Sequence, residues 1–342
     1  MTLHDTLPAS WYHEPAYFDV ERVSVFRESW IPIGLSCQLQ NAGDYVTENV
    51  AGWPIFVQRQ SDGSLRAFHN VCPHRAGPIV WDGSGCQKNL VCKYHGWAFS
   101  VDGELLNARD FGAPAPDGAA LSRIAVDEWR GILFVCLSEY AQPLEVWLAG
   151  FPAALSDVPF ETYSFYKRTS KVVKCNWKTY ADNFLEGYHL PTVHPRMTRD
   201  GEAGLYSVEL HEDLRWNIHR MPGRGESTFS LFGWFWPTFA FNALPDGFAI
   251  ERWLPRGADE IELIFEYMFK PGSDAEASFS FSEEVAQEDV LICEHVQRNL
   301  ASGMYDTGKL SPKWEEPLHA FHQLVRDSVY PAVAVAVRGA SS

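Results

Sequence analysis

Apolar positions between residues 15 and 30, namely Phe18, Val23, Phe26 and Trp30, recur near a helical period, with Pro15 close to the start. PAYFDVERVSVFRESW therefore predicts an amphipathic helix. The pattern then changes. WIPIGLSCQL, GDYVTENVAGWPIFVQRQ, LRAFHNV, LVCKYHGWAFS, ELLNA and GILFVCL are short β-prone runs separated by Asp-Gly, Ala-Gly and Ser-Gly turn signals. Many short strands joined by tight turns predict a small antiparallel β-domain over residues 38–144. An N-terminal helical segment, residues 1–37, precedes it and is expected to pack on the domain formed by residues 145–342.

From about residue 145 the periodicities mix. WLAGFPAAL reads as helix, and TYSFYKRTSKVVKCNWKTY as strand followed by helix. STFSLFGWFWPTFAFNAL, GFAIERWLP and IELIFEYMFK are aromatic-rich strands, a long helix runs from about Ser282 to Ser302, and LHAFHQLVRDSVY makes a last one. Residues 145–342 thus predict an α+β domain around a central antiparallel sheet. The chain contains no internal repeat and no dinucleotide fingerprint.

Composition narrows the function classes. An aromatic share of 14% can thicken a core or line an apolar pocket. The formal charge of −16 argues against a nucleic-acid binder, which needs clustered Lys and Arg. The N-terminus lacks a basic stretch followed by an apolar one, and no window has the length of a membrane span, so a cytoplasmic protein without a membrane segment is expected. Seven cysteines, an odd number in a long chain, disfavour a disulfide scaffold. Cys37, Cys136, Cys175 and Cys293 read as buried free thiols, and Cys86 as a loop residue.

Two places carry chemistry. The first is CPHRAGPIVWDGSGCQKNLVCKYHGW, with Cys72-x-His74 and, after seventeen intervening residues, Cys92-x-x-His95. Two thiolates and two imidazoles can hold tetrahedral zinc. The spacing, two hairpin-like loops inside a β-domain, favours instead a [2Fe-2S] cluster with sulfur ligands on one iron and nitrogen ligands on the other. Gly77, Pro78 and Gly96 can turn backbone amides toward cluster sulfurs. Arg75 and Trp97 flank the four residues, in a structural role or facing a neighbour.

The second is WKTYADNFLEGYHLPTVH, which supplies His189 and His194. Five residues rotate an ideal helix by about 140°, so the pair cannot share one face of a straight helix. Pro191 offers a break that brings His194 back. Ferrous iron needs a third protein ligand, and FSEEVAQEDVLICEHVQRNLAS offers Asp289. With Val285, Ile292, Val296 and Leu300 it falls on one helical stripe, where a carboxylate must be paired or bound to metal. A salt-bridged Asp289 is the alternative. Glu288, about 100° away, is expected to reach solvent. Asp182 or Asn183 hydrogen-bonds a ligand or water near the iron, or else serves as an ordinary helix-surface or capping residue. Phe184, Trp234, Phe235, Trp236, Phe239, Phe241, Phe265 and Met268 are candidate pocket walls, of which strand alternation sends about half into the core. His211, His219, His319 and His322 have no partner at a convincing spacing.

CPHR followed by CKYHGWAFSVDGEL resembles the cluster-binding signature of the Rieske non-haem iron aromatic-ring-hydroxylating oxygenases, alpha subunit. NFLEGYHLPTVH followed by Asp289 in a Gln-Glu-Asp context is similar to the same family's catalytic signature, and the resemblance spans nearly the whole chain. It implies an antiparallel β Rieske domain joined to a helix-grip-like catalytic domain. It also implies a [2Fe-2S] cluster on Cys72, His74, Cys92 and His95, and mononuclear Fe(II) on His189, His194 and Asp289. Glu186 is then the acidic residue that connects His189 to a Rieske histidine of a neighbouring subunit, His95 in this numbering. Glu stands where many ring hydroxylases have Asp, as in some oxygenases acting on trimethylammonium compounds.

Electrons are implied to come from NAD(P)H through a separate reductase or ferredoxin, since the chain has no flavin or nicotinamide motif of its own. A head-to-tail homotrimer is implied as well, and a small beta subunit is compatible with it. The leading expectation is hydroxylation of a small aromatic substrate with dioxygen. The alternatives are monooxygenation or N-demethylation of a methylammonium or amine compound and, in another class, a stand-alone electron-transfer protein. The last leaves His189, His194 and Asp289 without a purpose.

Overall fold

The computed structural model describes residues 3–114, 116–156, 158–159, 162–200, 206–222, 229–244 and 246–339. They divide into two compact units, Phe26–Ala149 and a second built from Met1–Val25 with Gly150–Ser342. The division falls earlier than residue 37 because Ile31–Leu35 is a fully buried strand hydrogen-bonded to Ile132–Cys136. Upstream of it the α-helix covers only Pro15–Glu21, and a π turn over Arg22–Phe26 shifts the phase. Val25 and Phe26 are buried in consequence, while Val23 is left exposed.

The unit Phe26–Ala149 is an antiparallel sheet of seven strands in the order Ile31–Leu35, Ile132–Cys136, Arg123–Trp129, Leu65–His69, Trp53–Arg59, Asp44–Val50 and Ser84–Cys86. A three-stranded sheet, Leu90–Val91, Ala98–Phe99 and Leu105–Asn107, stands beside it. Phe56, Phe68, Leu90, Trp97, Phe99 and Leu121 close one apolar core that also encloses Cys72 and Cys92. Fully burying a large apolar side chain contributes roughly 1.5–3 kcal/mol, so this core holds the two cysteine loops as a unit. Cys136, Cys175 and Cys293 are buried as expected, but Cys37 is exposed because it lies in the short turn Ser36–Gln38 at the end of a strand.

In the other unit seven antiparallel strands run in the order Ser164–Val173, Ile261–Phe269, Gly247–Pro255, Phe239–Leu244, Phe229–Phe235, Trp216–Pro222 and Ser207–Leu210. Helix Trp177–Phe184 is capped by Asn176, whose side chain accepts from Lys178 N at 2.9 Å. It packs against strand Gly247–Pro255 and against helix Ala275–Leu300. The last helix, Glu316–Gly339, places Phe321 against Trp177, Trp234 and Trp236. None of the described helices is long and apolar enough to cross a membrane.

The long helix does not use the face that its apolar residues suggest. Its buried residues are Phe279, Ala286, Val290, Cys293, Gln297 and Leu300, whereas Ile292 and Val296 are exposed and Asp289 is partly buried at the edge. Gln297 can sit in the core because three of its hydrogen-bonding positions are filled there. Its Oε1 accepts from Asn176 N at 2.9 Å and from Thr179 Oγ1 at 2.8 Å, and its Nε2 donates to Tyr12 O at 2.8 Å. Three segments distant in sequence are tied by that one side chain, and two of them are tied again by Glu21, which accepts from Trp177 Nε1 at 2.7 Å and pairs with Lys178.

Candidate active site and metal centres

Cys72 and Cys92 each open a short loop of the β unit. Ala76 N returns to Cys72 O at 3.0 Å, and Gly96 N to Cys92 O at 3.1 Å. Gly96 has φ +73°, the left-handed conformation that closes such a loop. At Gly77 the constraint is contact: an added Cβ would stand 3.0 Å from Cys92 Sγ and 2.6 Å from Tyr94 Cβ. Asn70 ties the base, its Oδ1 accepting from Ile79 N and Val80 N and its Nδ2 donating to Val80 O.

The two imidazoles, His74 and His95, have ring centroids 4.7 Å apart, and His74 stacks on Trp97 at 4.6 Å. Burial pushes the Cys72 thiol up, and proximity to Cys92 adds to that. Burial and the neighbouring His74 and Arg75 hold His95 below the usual imidazole range. His74 Nδ1 is buried without a hydrogen-bond partner. Two enclosed thiols, two neighbouring imidazoles and an orphaned ring nitrogen are the donor set of a histidine-ligated [2Fe-2S] cluster.

In the other unit, helix Trp177–Phe184 ends and the chain turns at Glu186 before a one-turn helix, Leu190–Val193. His189 stands immediately before that turn and His194 immediately after it. Pro191 therefore lies in the first turn of a new helix and does not break an old one. The rings approach to 5.2 Å between centroids. Asp289 comes from the long helix, and one donor atom from each of His189, His194 and Asp289 lies within 4.8 Å of the others.

The Nε2 atoms of His189 and His194 stand 3.7 and 2.9 Å from Asp289 Oδ1. Each ring is held from its far edge by its own carboxylate. Glu186 Oε1 lies 2.6 Å from His189 Nδ1, and Glu288 Oε2 lies 2.7 Å from His194 Nδ1. An Nδ1–H given to a carboxylate leaves Nε2 free of a proton, the tautomer a metal needs. Burial works to lower the His194 pKa, but the bonds to Asp289 and Glu288 outweigh it and the net shift is upward. Asn183 Nδ2 donates to Asp289 Oδ1 at 2.6 Å. The donor set and its spacing fit a metal held by two nitrogens and a carboxylate with open positions.

Some expected residues lie elsewhere. Asp182 turns inward, accepting from the Tyr12 hydroxyl at 2.7 Å and facing His322 Nε2 at 3.0 Å. Glu288 does not simply reach solvent, because the 100° between consecutive helical residues sends it and Asp289 to the two edges of one imidazole. Nothing in the local pattern marks Glu288, since its partner lies 94 residues away.

A cavity of about 140 Å³ opens beside the triad, lined by Phe184, Phe232, Phe265, Tyr267, Phe281 and Glu251 among others. Its floor is a row across the sheet in which His219 lies opposite Phe232, Phe232 opposite Asn242, Asn242 opposite Ala249 and Ala249 opposite Tyr267. Of the expected walls, Phe184 and Phe265 are there. Phe235, Phe239, Phe241 and Met268 alternate to the other face, and Trp234 and Trp236 pack under Phe321. His219 lines the cavity between the Tyr206 hydroxyl and Asn217 Oδ1, and burial lowers its pKa to about 3. Burial raises the Glu251 pKa to about 7 against the pull of hydrogen bonds from Tyr180 and Asn242.

Comparison with known proteins agrees with this architecture. Residues 29–120 match the Rieske [2Fe-2S] domain family and residues 160–330 the ring hydroxylating alpha subunit catalytic domain. The chain is 30% identical to the chloroplastic choline monooxygenase of Arabidopsis thaliana, over 95% of this chain and 83% of that protein. It is 33% identical to the carnitine monooxygenase oxygenase subunit of Escherichia coli K12, over 70% and 68%. A quaternary ammonium Rieske monooxygenase solved with L-carnitine superposes with a TM-score of 0.86, 27% identity and 96% coverage of both chains. A naphthalene 1,2-dioxygenase shares the fold at 20% identity, with a TM-score of 0.74 over 89% of this chain and 82% of that one. With its two family domains in this order and its relatives matched along most of its length, the chain belongs to the alpha subunits of the Rieske-type non-haem iron oxygenases.

Proposed function

We propose that the protein is the oxygenase component of a monooxygenase acting on a small methylated ammonium or amine compound. It would use dioxygen and electrons that a partner reductase draws from NAD(P)H. The observation that carries this reading is the lining of the cavity beside the triad. Aromatic rings and the carboxylates Glu186, Glu251 and Asp289 face it, and no Lys or Arg is among the described residues around it. Glu186 and Asp289 are committed to His189 and the metal, but Glu251 has no Lys or Arg partner among the described residues, and a carboxylate beside ring faces favours a cation. The likeness to proteins named for choline and carnitine supports it. Ring hydroxylation of an arene, the leading expectation from the signatures, accounts for the aromatic rings but leaves Glu251 without a reason.

His189, His194 and Asp289 would hold ferrous iron, which when bound supplies the dioxygen chemistry that closed-shell carbon cannot perform. Cys72, Cys92, His74 and His95 would hold the cluster that supplies electrons singly. Glu186 and Glu288 keep the protons of His189 and His194 on Nδ1 and aim both Nε2 atoms inward. Asn183 fixes the rotation of the Asp289 carboxylate. Phe184, Phe265 and Tyr267 keep water from the substrate and orient its carbon toward the triad. Glu186 would also meet His95 of a neighbouring subunit in a homotrimer, linking the two centres.

The test is a single turnover of the iron-loaded, chemically reduced protein with labelled dioxygen, against paired panels of methylammonium compounds and arenes. Formaldehyde with a demethylated amine, or a hydroxylated ammonium product, is expected. A labelled phenol or cis-diol would overturn the reading.

A further inference from the structure

Two buried glutamates lie in adjacent strands of the catalytic sheet and are treated oppositely. Glu266 has Arg252 Nη2 at 3.6 Å and Arg168 Nη1 at 3.8 Å from its Oε1. Glu251 lines the cavity on the other face and is 3% exposed. The Tyr180 hydroxyl donates to its Oε1 at 2.6 Å and Asn242 Nδ2 to its Oε2 at 2.7 Å. Both partners are neutral. No Lys or Arg among the described residues is paired with it, and Lys171, which acts on it from a distance, is paired with Glu283 at 3.3 Å.

Taking a carboxylate out of water costs several kcal/mol unless a positive charge answers it. Tyr180 and Asn242 fix where the charge sits without neutralising it, and each oxygen keeps lone-pair capacity for another contact. The metal triad does not need Glu251, because Glu186, Glu288 and Asn183 make the hydrogen bonds to its members. Nor does the sheet need it, since it stands opposite Ala240 and Phe265 in a ladder that apolar side chains also fill. What remains is the cavity, where Phe265 and Tyr267 stack 5.6 Å apart on the same face. A buried carboxyl group held by neutral partners ionises fully only when a positive charge stands beside it, so with the rings it forms a seat for a positively charged nitrogen.

We propose that Glu251 is the counter-charge for the substrate's cationic nitrogen and the residue by which this site prefers a cation to a neutral molecule of the same shape. The inference rests on the amine or ammonium chemistry proposed above, and names the group that reads it.

The test is calorimetric binding to the holoenzyme of choline and of its neutral carbon isostere 3,3-dimethylbutan-1-ol, for the wild type and Glu251→Gln. The wild type should prefer choline. Glu251→Gln should lose about tenfold or more in choline affinity while binding the isostere as before. A merely structural role would move both ligands together, and that result overturns the proposal. A wild type that prefers choline with the preference intact in Glu251→Gln also overturns it, yet leaves the proposed chemistry standing. A wild type without any preference overturns both. If Glu251→Gln does not fold, Glu251→Asp and Glu251→Asn, which differ from each other only in charge, repeat the comparison with the same outcomes.

Discussion

Glu288 Oε2 lies 2.7 Å from Nδ1 of His194, on the edge of the ring opposite the one that faces Asp289. Successive residues of one helix thus grip one imidazole from both sides. Carboxylates behind metal-bound histidines set both tautomer and orientation, and their loss typically costs about 10–100-fold in metal affinity. Glu288→Ala should therefore weaken mononuclear iron by about that factor while leaving the cluster absorption unchanged. Chelator competition with iron counted per chain measures it, and an unchanged affinity would show that the contact does not support the metal.

Gly77→Ala tests the cluster loops. The added methyl would meet Cys92 Sγ at 3.0 Å and, at 2.6 Å, Tyr94 Cβ, which is fixed next to the backbone and cannot swing away. The visible absorption and acid-labile sulfide of the purified variant should fall well below those of the wild type. Gly257→Ala, in the catalytic unit, provides a control, because its backbone needs no left-handed conformation and its Cβ meets only Asp259 Oδ1 at 3.9 Å.

The Tyr12 hydroxyl donates to Asp182 Oδ2 at 2.7 Å and lies 3.2 Å from His322 Nε2, joining the N-terminal segment to two helices of the catalytic unit. Tyr12→Phe removes the donor and should cost about 1–2 kcal/mol. For a unit of this size that lowers the melting temperature by about 2–8 °C. Iron content should stay the same, because Asp182 does not reach the triad; a loss of iron with no change in melting would assign Asp182 to the metal centre instead.

His219 gives a pH dependence of defined sign. Its pKa is about 3 in the fold, below the ordinary value of 6.5, so it is neutral there while the unfolded chain takes up a proton below pH 6.5. The depressed pKa makes its contribution complete above pH 6.5 and progressively lost as pH falls toward 3. The loss amounts to about 2 kcal/mol by pH 5. His219→Gln should flatten this part of the acid limb. Melting curves of both proteins at about pH 7 and pH 5 decide it, and equal slopes would show that the ring is protonated in the fold.

What could be read in one dimension was what is local. The pairs Cys72/His74 and Cys92/His95 are close in sequence because each closes a single loop, so their chemistry is written in their spacing. His189 and His194 flank one turn of helix. Strand alternation and turn residues were enough for the two antiparallel sheets, since both signals act over a few residues. The long helix misled in detail: Ile292 and Val296 are apolar yet exposed, while Gln297 is polar yet buried, because the buried face was chosen by the hydrogen bonds that Asn176, Thr179 and Tyr12 make with Gln297.

The donors, their order along the chain and the two-domain α+β plan were therefore set by sequence alone, because ligand types and short-range periodicity are properties of neighbouring residues. Which side chains complete the site was decided by packing. Glu288 reaches His194 across 94 positions and Asn183 reaches Asp289 across 106, while Asp182 turns to Tyr12 and His322. Glu251 comes to face the cavity with both oxygens fixed only when helix Trp177–Phe184 and strand Phe239–Leu244 bring Tyr180 and Asn242 to them. Contacts of that kind depend on how helices seat on the sheet, a choice made by the whole core and carried by no single stretch of chain.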